Sequence, residues 1–116
     1  DSIGPIDRLT IIGDQLFAYY KNTITQVDLR CQKPIIKFAV DIYRVRRMLK
    51  YNQNLLIIGK NEIQLLDTRG KILMSNSPDG NIIDGCILDE SSGLILLLCG
   101  GNRLLQFKIP TNTLRQ

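Results

Sequence analysis

The 116 residues suffice for one compact core and are short for two. Apolar residues at 44% and charged residues at 22% exclude a disordered or fibrous chain, and a net charge of +4, with Lys and Arg mostly scattered singly between apolar runs, excludes a dense nucleic-acid-binding stripe. With no histidine and no CxxC pair, the Ser-His and Cys-His catalytic sets and the common zinc sets are excluded too, so no catalytic, cofactor or metal residue is assigned.

In chain order, an apolar segment at Leu9 to Ile12 precedes Leu16-Phe-Ala-Tyr-Tyr-Lys-Asn22, then Thr23-Ile-Thr-Gln-Val-Asp28, then Pro34 to Val40. The same succession returns as Met48-Leu49, Leu55-Leu-Ile-Ile-Gly-Lys-Asn61, Glu62-Ile-Gln-Leu-Leu-Asp67 and Lys71 to Met74, the last entered through Thr68-Arg69-Gly70. It returns again as Ile87-Leu88, Leu94-Ile-Leu-Leu-Leu-Cys-Gly-Gly-Asn102, Arg103-Leu-Leu-Gln-Phe-Lys108 and Thr113-Leu114-Arg115. Leu16, Leu55 and Leu94 are 39 positions apart, as are Leu9, Met48 and Ile87. A fixed spacing of this kind marks a structural repeat, with units at about 6–40, 41–79 and 80–116.

Segments of this length, rich in Ile, Leu, Val, Phe and Tyr and punctuated by Gly, Asn, Asp and Pro, predict strands. Asn22, Asn61 and Asn102 sit where hairpins turn, since Asn tolerates the positive φ that a tight turn demands. Asp28 and Asp67 end the third segment of their units, where a carboxylate accepts hydrogen bonds from turn amides. Pro78-Asp79-Gly80 signals the turn between the second and third units. The expected fold class is therefore all-β: antiparallel four-stranded units in a single domain, 1–116, or in a fragment of one.

The apolar-x-x-apolar-Asp endings, Ile24 to Asp28 and Ile63 to Asp67, resemble the third strand of WD-repeat-like β-propellers. The resemblance covers nearly the whole chain. Val27 and Leu66 stand where that family usually has tryptophan, Lys108 replaces the third aspartate, and the family's Gly-His pair is absent. The resemblance implies about three blades of a propeller, which closes with typically four to eight, so blades from elsewhere would complete it. The alternative with threefold repetition is a β-trefoil.

One local cluster stands out in Tyr43 to Tyr51, where Arg44, Arg46, Arg47 and Lys50 lie between aromatic residues. It could contact an anionic partner, nucleic acid included, or form a solvated blade edge. In a strand, Arg44 and Arg46 would share one face and Arg47 the other. Cys31, Cys86 and Cys99 are read as core or surface thiols, and their odd number points to a reducing, intracellular home, nuclear or cytoplasmic. The longest apolar run, Leu94 to Cys99, is far shorter than the roughly 20 residues of a spanning helix, so no membrane insertion is expected. The chain starts at Asp1 without a signal-peptide pattern, which suggests a fragment or processed product. The expected function is a non-enzymatic protein–protein interaction scaffold within a multiprotein complex, with a nucleic-acid or ribonucleoprotein-associated propeller as the alternative.

Overall fold

The computed structural model describes residues 5–78 and 80–110. The first sheet holds β1 (Arg8–Ile12), β2 (Gln15–Tyr20), β3 (Thr23–Asp28) and β4 (Lys33–Ala39). The second holds β5 (Val45–Tyr51), β6 (Asn54–Gly59), β7 (Ile63–Leu66) and β8 (Ile72–Asn76). The third holds β9 (Ile82–Asp89), β10 (Leu94–Cys99) and β11 (Arg103–Lys108). The Thr113–Arg115 segment and Asp79 lie outside the described residues.

Each sheet is an antiparallel meander whose strands pair in chain order, and each draws its strands from one repeat only. That topology is a propeller blade and sets aside the β-trefoil alternative. The first strands of neighbouring sheets, β1 with β5 and β5 with β9, pack together, while β4 and β8 form the opposite edges of their sheets. The three blades thus fan out from an inner row of first strands.

Two apolar cores lie between the blades, one on each side of the middle sheet. Phe17, Tyr19 and Ile24 of the first blade meet Met48, Leu55, Ile57 and Leu66 of the second. On the other side Leu56, Ile58, Ile63 and Leu65 meet Ile82, Ile95, Leu97 and Cys99 of the third. Successive side chains of a strand point to opposite faces, so β6 serves both cores in alternation. Leu55, Leu56, Ile57 and Ile58 consequently have no exposed surface at all.

The third blade departs from the sequence spacing by one residue. Ile95 and Leu97 face the second blade as Leu55 and Ile57 face the first, so Leu94 is not the structural counterpart of Leu55. A one-residue shift exchanges the two faces of a strand. Register shifts at Leu94/Ile95 and Leu98/Cys99 accommodate it in the β9–β10 pairing. Leu94 to Leu98 is apolar throughout, so either register buries a comparable row.

Truncating the doubly enclosed strand should cost far more than truncating the outermost one. Ile58→Ala is expected to lower unfolding free energy by about 2–5 kcal/mol, whereas Leu104→Ala should change it by less than about 0.5 kcal/mol in chemical denaturation.

Candidate functional site

Side-chain links reinforce each joint from the inner strands. Arg8 of β1 donates from Nε to the Arg46 carbonyl at 3.3 Å and from a terminal nitrogen to the Val45 carbonyl at 3.5 Å. The buried Thr10 hydroxyl donates to the Met48 carbonyl at 2.7 Å. At the second joint Arg47, 39 residues after Arg8, reaches the Asp84 carboxylate at 2.7 Å. Arg46 donates to the Ile82 carbonyl at 3.1 Å, and the Tyr51 hydroxyl to the Glu90 carbonyl at 2.7 Å. Burial raises the Tyr51 pKa, and the charges of Glu90 and Asp89 add to the effect. Its hydroxyl therefore remains a donor at neutral pH.

These links divide the basic cluster differently from the strand alternation, which put Arg44 and Arg46 on one face and Arg47 on the other. Arg44 precedes β5 and has a φ of 53°, so it is a turn residue and not a strand residue. The β5–β6 register shifts between Val45 and Arg47, which makes Arg46 the extra residue of a bulge. Alternation therefore fails here, and Arg46 and Arg47 both reach the third blade. Lys50 lies at the other end of β5, opposite Leu55, about 17 Å from Val45 along a strand. Four basic residues close in sequence are thus three different structural features.

The turn residues differ among themselves. Asn22 and Asn102 take positive φ, 64° and 58°, while Asn61 does not. The β6–β7 loop is closed instead by the Gly59 amide donating to the Glu62 carbonyl at 2.8 Å. Asp28 accepts from the Arg30 amide at 2.9 Å and from its guanidinium at 2.8 Å. Those bonds, the guanidinium's first, hold the Asp28 carboxyl down at about 2. Asp67 accepts from the amides of Arg69 and Lys71, each at 2.9 Å.

An arc of three blades exposes the apolar face of each terminal blade, as the three-blade reading implies, and the structure names the residues on those two outward faces. On the first blade Leu9 is 57% and Ile11 50% exposed, and Leu16 is half-buried beside them. Leu9 occupies the position at which Met48 is buried against the first blade, so it marks where a preceding blade would pack. A hollow of about 310 Å³ between Tyr20, Lys21, Thr23, Thr25 and Lys37 makes the rest of this blade's rim more polar. On the third blade Leu88 is 48% and Leu104 68% exposed, and Leu96 and Leu98 line a shallow hollow of about 130 Å³ with Asp84, Gly85, Cys86 and Leu104. Exposed contiguous apolar surface of this kind marks an interaction site. The individual residues could have been found from the spacing as well, since they are counterparts of residues buried in the middle blade.

One outcome tests the turn assignment. A carboxyl whose folded pKa is depressed stabilises the fold above its ordinary pKa near 4, and that contribution disappears as pH falls toward the folded value. The melting temperature of Asp28→Asn should therefore lie below that of the unaltered chain above about pH 4, with the gap closing toward pH 2 when both are followed by circular dichroism.

No family model matches the sequence, and no curated protein matches it. Solved structures do resemble it. The WD40 domain of Neurospora crassa Pan2 superposes with a TM-score of 0.71 at 15% identity, over 90% of this chain and 35% of that one. Saccharomyces cerevisiae Sqt1 gives 0.69 at 12% identity, over 90% of this chain and 31% of that one. Moraxella catarrhalis BamB gives 0.69 at 7%, over 87% and 30%. The chain spans about a third of the length of these structures. Meander sheets, an inner row of first strands and these superpositions together identify the fold as consecutive blades of a WD-repeat-like β-propeller, a partial one.

Proposed function

We propose that this chain is a non-enzymatic interaction scaffold, a propeller segment that works as part of a larger multiprotein assembly. The observation that carries the reading is the pair of outward faces, in particular Leu88, Leu96, Leu98 and Leu104 on the third blade. The same strand positions in the middle blade are enclosed by a neighbouring sheet. Further blades, from this polypeptide or from another chain, are the natural cover, because each existing joint already shows how one sheet packs on the next. WD-repeat folds commonly hold other proteins, which agrees with the site, although the fold by itself prescribes no function. Cys31, Cys86 and Cys99 are free, and two of them are exposed, which supports a reducing, intracellular setting, nuclear or cytoplasmic.

Light scattering of the 116-residue chain at several concentrations tests the proposal. The expected result is a mass that rises with concentration, and a return toward the monomer mass on Leu98→Glu with Leu104→Glu. A monomer at every concentration whose outer leucines are inaccessible to an apolar dye would overturn it.

A further inference from the structure

The loop between β4 and β5 and the hairpin between β6 and β7 meet at one end of the middle blade. The Lys60 amide donates to the carbonyls of Tyr43 and Arg44, at 3.2 and 3.1 Å, which fastens the two loops together. Gly59 permits this approach, because a Cβ there would collide with the Ile42 side chain and lie 3.2 Å from the Tyr43 carbonyl. Three groups are thereby gathered. The Arg44 guanidinium lies 5.3 Å and the Lys60 ammonium 5.7 Å from the centre of the Tyr43 ring. Arg44 Nε donates to the Tyr43 hydroxyl at 3.0 Å, which orients the guanidinium.

The charges of this cluster have no carboxylate to answer them among the described residues. The salt bridges there belong to Arg30, with Asp14 and Asp28, and to Arg47, with Asp84. Glu62, the carboxylate on the same hairpin, instead accepts from Gln64 at 3.2 Å and Ser75 at 3.3 Å. Tyr43 is 58% exposed, so the cluster faces solvent. The Tyr43 hydroxyl has a lowered pKa, first through the Arg44 hydrogen bond and then through the charges of Arg44, Lys60 and Arg46.

The backbone does not call for an arginine at position 44. Arg44 adopts a φ of 53°, a left-handed conformation that glycine or asparagine takes more readily. Its backbone is served better by a smaller residue, so the arginine side chain is not explained by the turn. Lys21 and Gln32 take the same conformation in other turns, so the conformation alone marks no site, and what sets this turn apart is the cations gathered about Tyr43.

We propose that Tyr43, Arg44 and Lys60 form a binding site for an acidic peptide segment of a partner protein, whose carboxylate is received by the outer guanidinium nitrogens and the ammonium. Because Arg44 Nε is committed to the tyrosine, its terminal nitrogens remain for an end-on pairing with two carboxylate oxygens. A nucleic acid is the less favoured partner, since the one exposed ring of the cluster already carries two cations and is not an open stacking surface. The site rests on the interaction-scaffold reading but uses a different surface from the outer blade faces.

The test is fluorescence anisotropy of the 116-residue chain with a labelled decapeptide rich in Asp and Glu, alongside its Asn and Gln counterpart and a labelled single-stranded decanucleotide. The acidic peptide is expected to bind and the neutral one not. Lys60→Gln and Arg44→Gly should each weaken binding about tenfold, the loss expected for a charge-assisted hydrogen bond. Arg44→Gly should do so with an unchanged or raised melting temperature, which separates lost binding from lost folding. Equal binding of the two peptides, affinity undiminished in both variants, or tighter binding of the nucleotide would overturn the proposal. Leu98→Glu with Leu104→Glu leaves the three site residues intact. Peptide binding retained there while assembly is lost, or the reverse pattern in Lys60→Gln, tells failure of the site from failure of the scaffold reading.

Discussion

Everything in this molecule depends on the middle sheet being covered on both sides. A β-sheet with one wet face needs polar residues at alternate positions, and β6 has none at Leu55, Leu56, Ile57 and Ile58. Such a strand can exist only between two other sheets. The first and third blades are therefore partners that the second requires, and their inward faces supply Phe17, Tyr19, Ile95 and Leu97 for that purpose. The outer blades carry apolar rows as well, on faces that nothing among the described residues covers.

Apolar packing sets the distance between blades but is indifferent to sliding along them. The polar links at the inner strands remove that freedom. A hydrogen bond to a particular carbonyl, as from Thr10 to Met48 or from Tyr51 to Glu90, is satisfied in one register and forfeited in its neighbours. The links cluster on β1, β5 and β9, where the blades approach most closely, so the fan is fixed at its hinge edge and needs fewer ties farther out.

The strand content and the repeat were legible because they depend on spacing and residue type, which a sequence displays directly. Leu9, Met48 and Ile87 keep corresponding places, and Asn22 and Asn102 take the conformation that their chemistry favours. The places where reading failed share a physical cause. In Leu94 to Leu98 every residue is apolar, so no alternation existed to distinguish one face from the other, and the register fell one residue away from the spacing. In Arg44 to Arg47 a turn residue and a bulge broke the alternation on which the assignment of faces depended. At Asn61 a wider loop relieved the residue of the conformation expected of it. Tyr43 and Arg44 were legible as part of a basic and aromatic cluster, but Lys60 was not, since it joins them from a second loop that the Lys60 amide fastens to theirs and whose approach Gly59 permits.

The two arginine links look alike and differ in what they demand of the chain. Arg8 holds main-chain carbonyls, which are present whatever side chains occupy positions 45 and 46. Arg47 holds the side chain of Asp84. Over evolutionary time the acceptors of the first joint can drift freely while its tie survives, whereas positions 47 and 84 must change together or the tie is lost. The first joint is therefore written in backbone acceptors alone, whereas the second adds to its own backbone ties, from Arg46 and Tyr51, one that is written in a pair of side chains, and only that one leaves a correlated trace in the sequences of descendants.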